Sequence, residues 1–198
     1  MPPAHCFTKA VAVTCLYFGS PLRHQKVEEA VRSHQEHDTA VGIGLALSNI
    51  LNSLLAGSTL AEALSEKNIL DGIKSPSVER AVKDAYIAKG KPLELTAAER
   101  GRSCHLPESF IIPLQAALAV ADDDGDINGD GASYASAVRE NILASGGICS
   151  RAIMIGSILG LIGAGCPESF SSKLDATHAA RVRAASEAIA ELRAAADF

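Results

Sequence analysis

The residues whose types and spacing best suit chemistry lie at 145–150, where a glycine pair precedes a cysteine and a serine. An apolar run at 153–164 follows, and each of its three glycines costs about 1 kcal/mol of helix propensity relative to alanine. A helix keeps such glycines where a ligand or another backbone comes close. Its first N–H groups would suit an anion. The residues that would line this helix start are Gly146, Gly147, Cys149 and Ser150.

An acidic stretch at 122–131 has oxygen ligands at the spacing of a calcium-binding loop. The three matching ligands are Asp124, Asp126 and Asn128. Ala135 stands where such a loop has its bidentate glutamate. We therefore favour a solvated connection between two helices, with weak calcium binding as the alternative.

A second polar cluster joins His34 and His37 to Glu36 and Asp38. The two histidines would share a face if their helix continued through them. Because no third ligand has a defined spacing, we favour a junction between helices over a metal site. In this interpretation Asp38 or Thr39 caps the next helix.

Chain length, net charge and cysteine content limit the kinds of protein that this chain can be. The 198 residues suffice for one domain with a sizeable core. The net charge is −5 without a basic cluster, which argues against a nucleic-acid partner. The five scattered cysteines form no CxxC pair and are odd in number, which is typical of reduced thiols and predicts a cytoplasmic protein.

An apolar run at 10–18 follows Lys9 and precedes Gly-Ser-Pro at 19–21, loosely as in a signal peptide. The run is short and contains Thr14 and Tyr17, so we expect a buried helix that ends at 19–21. No run approaches the ~20 apolar residues of a membrane span, so we expect no membrane partner.

Helical spacing of apolar residues recurs along the whole chain, and aromatic residues make up only 4% of it. Ser58 with Glu62, and Thr96 with Glu99, have the spacing of helix starts. These patterns predict an all-α protein, a multi-helix bundle that forms one domain over 1–198. The last part, 175–198, is expected to be an amphipathic helix with solvated charges.

Several segments, in order and spacing, resemble the ADP-ribosylglycohydrolase family, in particular its crystallin and selenoprotein-like branch. The similar region spans 10–174, and the resemblance is carried by residues 27–35, 40–41, 55–64, 109–110, 134, 137–140 and 145–152. In that family a glycine pair precedes an Asp-Thr-Asp-Thr run and a glycine-spaced helix. The resemblance implies the all-α fold of the family, an ADP-ribose ligand, and two Mg²⁺ ions that serve hydrolysis of ADP-ribosyl bonds.

The aspartates of the family motif are absent from this chain. Aligned without gaps they fall on Gly147 and Cys149, and in the alternative register on Ile148 and Ser150. Either way both metal carboxylates are lost, so no catalytic residue and no bound cofactor is predicted. Ser150 alone could still supply one oxygen ligand.

The aspartate-rich motifs with which family members begin also have no counterpart here, so the chain corresponds to the C-terminal two-thirds of that fold. We expect a truncated bundle whose N-terminal helices are missing and whose helix at 153–164 is left uncovered. Such an exposed apolar face would bind a protein partner or a second copy of the chain.

Two functions therefore compete. One is an ADP-ribosyl glycohydrolase, which the resemblance supports and the missing carboxylates oppose. The other is a non-catalytic helical scaffold, crystallin-like or partner-binding, with a degenerate cleft at 146–150. Upstream sequence that encodes the missing aspartates would favour the enzyme.

Overall fold

The structure is a computed structural model that describes residues 2–122, 132–163 and 165–196. Within these residues twelve helices and no strand form, which confirms the all-α prediction. The helices are α1 (Cys6–Leu16), α2 (Arg23–Arg32), α3 (Asp38–Leu55), α4 (Leu60–Ala63), α5 (Glu66–Ile69), α6 (Pro76–Ala88), α7 (Leu93–Arg100), α8 (Glu108–Asp122), α9 (Ala132–Leu143), α10 (Ile148–Ile162), α11 (Glu168–Ser171) and α12 (Ala176–Ala195).

Helix α3 occupies the middle of the bundle and contacts α1, α2, α6 and α10. Its side chains Ile43, Leu47 and Ile50 are fully buried. Contrary to the expectation that no run has the length of a membrane span, α3 is long and apolar enough to be one by length and composition. Because 61% of its most apolar window lies buried inside the bundle, core packing accounts for this composition.

Three expected helix starts need correction. The cap of α4 is Thr59 and not Ser58: its hydroxyl accepts from the amide of Glu62, whose carboxylate accepts from the Thr59 amide in return. Thr96 caps nothing, because α7 begins earlier and buries Thr96 inside the helix. The cap of α3 is His37, whose Nδ1 accepts from the Thr39 amide across 3.2 Å.

Helix α10 is mostly covered, contrary to the expectation for 153–164. It packs on α8, α9 and α3, and it buries Met154, Ile155, Ile158 and Leu159. Its Gly156 admits the Tyr134 hydroxyl, which lies only 3.0 Å from where a Cβ would stand. Gly156 therefore serves the packing of α10 against α9. Helix α12, like the four-residue α11, has no buried residue.

Candidate functional site: the start of helix α10

The turn before α10 brings two glycines against another part of the chain. Ser145 and Gly146 have positive φ angles of 58° and 76°. Gly147 then precedes the helix and donates its amide hydrogen to the carbonyl oxygen of Arg102 across 2.9 Å. A Cβ on Gly146 would stand 1.8 Å from that oxygen, and one on Gly147 would stand 3.0 Å from the Cα of Cys104. Both glycines therefore make room for the protein's own backbone.

The segment at 102–106 also forms backbone hydrogen bonds with residues 2–4. The Ala4 amide donates to the Cys104 carbonyl oxygen, and the Leu106 amide donates to that of Pro2, each across 2.8 Å. Residues far apart in sequence thus form one continuous junction, which we call the α10 junction (residues 2–4, 102–106 and 145–148). The junction fixes the position at which α10 begins.

The side chains left at this helix start are poor metal ligands. Cys149 is exposed and Ser150 is half-buried. The Mg²⁺ that the family resemblance implies prefers several carboxylate oxygens, whereas the predicted positions offer a thiol and one hydroxyl. Among the residues that the structure describes, no group of three or more His, Cys, Asp or Glu side chains could hold a metal ion. The donor set therefore does not fit Mg²⁺.

Sequence analysis missed the role of Arg151, one turn into α10. Its side chain is fully buried, and its Nη2 donates to the carbonyl oxygen of Ser145. Its Nε and Nη1 have no hydrogen-bond partner among the residues that the structure describes, and burial lowers the pKa of the guanidinium. Asn141 also reaches the turn, because its Nδ2 donates to the Ile148 carbonyl oxygen across 3.0 Å. These two side chains fix the turn from inside the bundle.

The polar cluster at 34–38 lies between α2 and the start of α3, as the junction interpretation predicts, and two of its carboxylates form ion pairs. Helix α2 ends before His34, so the two histidines do not share a helix face. Arg32 instead donates to Glu36 across 2.7 Å and to Asp38 across 2.8 Å. The calcium candidates Asp124, Asp126 and Asn128 lie outside the described residues.

The cysteines differ in their surroundings. Cys104, Cys149 and Cys166 are exposed free thiols. Cys6 is buried in the core, and desolvation raises the pKa of its thiol to about 12. Cys15 is partly buried, which also raises the pKa of its thiol. The three exposed thiols are therefore more accessible to reagents than those of Cys15 and Cys6.

A cavity of about 590 Å³ between α6, α7 and α8 was not predicted from the sequence. On its wall Arg100 donates to both carboxylate oxygens of Asp84, across 2.8 and 3.1 Å. A smaller cavity of about 360 Å³ adjoins it at Ser103 and His105, beside the α10 junction. No local motif could have revealed either space, since each is formed by elements distant in sequence.

No family model, no curated protein and no solved structure matches this chain. The resemblance to ADP-ribosylglycohydrolases therefore depends on the sequence motifs described above. The all-α architecture is consistent with it, but many unrelated functions share helical bundles.

Proposed function

We propose that this chain is a catalytically degenerate relative of the ADP-ribosylglycohydrolases that acts as a non-catalytic helical scaffold or binding protein. The observation that carries this proposal is the contact of Gly146 and Gly147 with the Arg102–Cys104 backbone. In this proposal, an ancestral ligand site has lost its ligands but keeps its glycine pair, because the fold needs the two glycines for packing.

The side chains at the same helix start support the loss of hydrolysis. Metal-assisted hydrolysis requires carboxylates that hold the ions and orient an attacking water. Cys149 and Ser150 provide neither carboxylate nor general base. We further propose a cytoplasmic location, because thiols such as those of Cys104, Cys149 and Cys166 stay free in reducing compartments.

Calorimetric titration of the purified chain with ADP-ribose, with and without Mg²⁺, tests the proposal. We expect no Mg²⁺-dependent heat of binding and no release of ADP-ribose from an ADP-ribosylated protein. Mg²⁺-independent binding would support a binding role, and no binding by the folded chain would support a scaffold. Binding that requires Mg²⁺, or Mg²⁺-dependent hydrolysis, would overturn the proposal.

A further inference from the structure

The cavity between α6, α7 and α8 has the size of a small-molecule site. Its volume of about 590 Å³ lies within the ~300–1,000 Å³ typical of ligand pockets. Its walls come from the N-terminal parts of α6 and α8 and from the end of α7. The neighbouring cavity of about 360 Å³ shares Arg100 and Glu108 with it. The two cavities therefore form one open space on this side of the bundle.

Charged side chains of both signs line the larger cavity, and most of them pair within the protein. The lining contains Arg80, Asp84, Glu99, Arg100 and Glu108. Arg100 donates to both carboxylate oxygens of Asp84, across 2.8 and 3.1 Å. Glu99 accepts from Lys91 across 3.3 Å. These pairs compensate three of the five charges.

Arg80 and Glu108 are the two charges of this lining that form no ion pair with any residue that the structure describes. Glu108 is half-buried, and its Oε2 is shielded from solvent without a described hydrogen-bond partner. Such a carboxylate has lost part of its hydration and gains free energy from a nearby cation. Arg80 is exposed, and its guanidinium can donate to an acceptor. The cavity thus offers one unpaired charge of each sign.

Apolar residues make up much of the remaining lining. Pro76 and Ala81 contribute from α6, and Ile111 contributes from α8. Ala81 and Ile111 belong to the hydrophobic core, so the cavity reaches the core surface. An aliphatic group of a ligand would gain free energy by leaving water for these walls. The lining therefore suits a ligand that is charged at its ends and apolar elsewhere.

We propose that this cavity binds a small zwitterion, an aliphatic amino acid or a dipeptide with free termini. Its carboxylate accepts from Arg80, its ammonium donates to Glu108, and its aliphatic side chain contacts the apolar walls. A ligand with charge of one sign would leave Arg80 or Glu108 uncompensated. The proposal does not depend on the proposed function, because the two are tested with different ligands and either can fail alone.

Calorimetric titration of the full chain with L-leucine and with L-leucyl-L-leucine tests the ligand class. We expect saturable binding of at least one of them. The N-acetylated and the C-amidated forms of that ligand should each bind about tenfold more weakly or worse, because each lacks one of the two charges. If neither ligand binds at its highest soluble concentration, or if the capped forms bind equally well, the proposal is wrong.

Two variants test which side chain binds which end of the ligand. Arg80→Gln should weaken binding and abolish the preference for the free carboxylate over the amide. Glu108→Gln should weaken binding and abolish the preference for the free ammonium over the N-acetyl form.

The matched controls are Lys83→Gln on α6 and Glu94→Gln in the first turn of α7, two exposed residues that line neither cavity. Both should leave the affinity unchanged. Unchanged circular dichroism would show that each of the four variants is folded. If the controls weaken binding as much as Arg80→Gln and Glu108→Gln do, the ligand lies elsewhere and the assignment of this cavity is wrong.

Discussion

Gly147 and Arg102 are joined by a backbone hydrogen bond of 2.9 Å that leaves no room for a side chain on either glycine of the turn. The contact explains why a glycine pair precedes α10 without any ligand. It also makes the motif sensitive to substitution in a way that an open binding site would not be. The following predictions concern this contact and the buried polar groups around it.

Gly146→Ala should destabilise the protein far more than Gly57→Ala. Both glycines have positive φ, 76° and 90°, but a Cβ at Gly57 meets nothing within 4 Å. Backbone strain alone costs about 1–2 kcal/mol, and the collision with the Arg102 carbonyl should bring the loss at Gly146 above about 3 kcal/mol. Urea unfolding of the two variants measures the difference. Equal losses would mean that the turn is not packed on 102–104.

Introducing the aspartates of the ADP-ribosylglycohydrolase motif should not create Mg²⁺ binding. Cys149→Asp places an exposed carboxylate near the helix start and should leave stability nearly unchanged. Adding Gly147→Asp should destabilise the protein, because its Cβ would stand 3.0 Å from the Cα of Cys104. Thermal melts of both variants with and without Mg²⁺ check this. A melting temperature that rises with Mg²⁺ would contradict the prediction.

Asn49 should be one of the most sensitive polar residues. This buried side chain donates to the carbonyl oxygens of Ile69 and Asp71, while its Oδ1 accepts from Arg23 and lies 2.7 Å from Nε2 of His24. Asn49→Ala leaves several buried polar groups unpaired, so the unfolding free energy should fall by about 3 kcal/mol.

The control for Asn49→Ala is Asn52→Ala on the same helix, whose half-buried side chain makes no hydrogen bond in the described part of the chain. It should cost less than about 1 kcal/mol. Guanidinium titrations of both variants provide the comparison. Similar losses would refute the importance of the Asn49 network.

Cys6 should make stability fall at alkaline pH. Its thiol has a pKa raised from 9.0 to about 12 by burial, so the unfolded chain loses this proton at a lower pH than the folded chain. The contribution of Cys6 to the unfolding free energy is complete below pH 9 and is lost as pH rises from 9 towards 12. We would measure the unfolding free energy of the natural chain and of Cys6→Ala over this pH range. The difference isolates the contribution of Cys6, because the other groups titrate alike in both proteins. Parallel curves would show that Cys6 is accessible to water.

The helices could be predicted from the sequence because their causes are local. Apolar spacing and capping residues fix where a helix forms, although Thr59 rather than Ser58 caps α4. Thr96 shows the limit of such predictions. The pattern Thr-x-x-Glu also occurs inside a helix, and here α7 begins earlier, at Leu93 after Pro92. Local patterns therefore predict that a helix forms better than they predict at which residue it begins.

The site could not be predicted to the same extent, because its geometry is set by distant parts of the chain. A glycine pair before a helix is equally compatible with an anion and with a crossing backbone. Only the position of Arg102 distinguishes the two, and nothing near Gly147 in sequence specifies it. The burial of the Arg151 guanidinium and the cavity beside Asp84 and Arg100 depend on tertiary packing in the same way.

The α10 junction also has a consequence for the order in which the protein is made. Residues 2–4 leave the ribosome long before their backbone partners at 102–106, and those are fixed only when 145–148 has been synthesised. Contacts between distant segments are slow to form, since a long loop must close before they do. Residues 2–4 therefore gain fixed partners only after the start of α10 has been synthesised, and closure of these hydrogen bonds marks the stage at which α10 is set in the bundle.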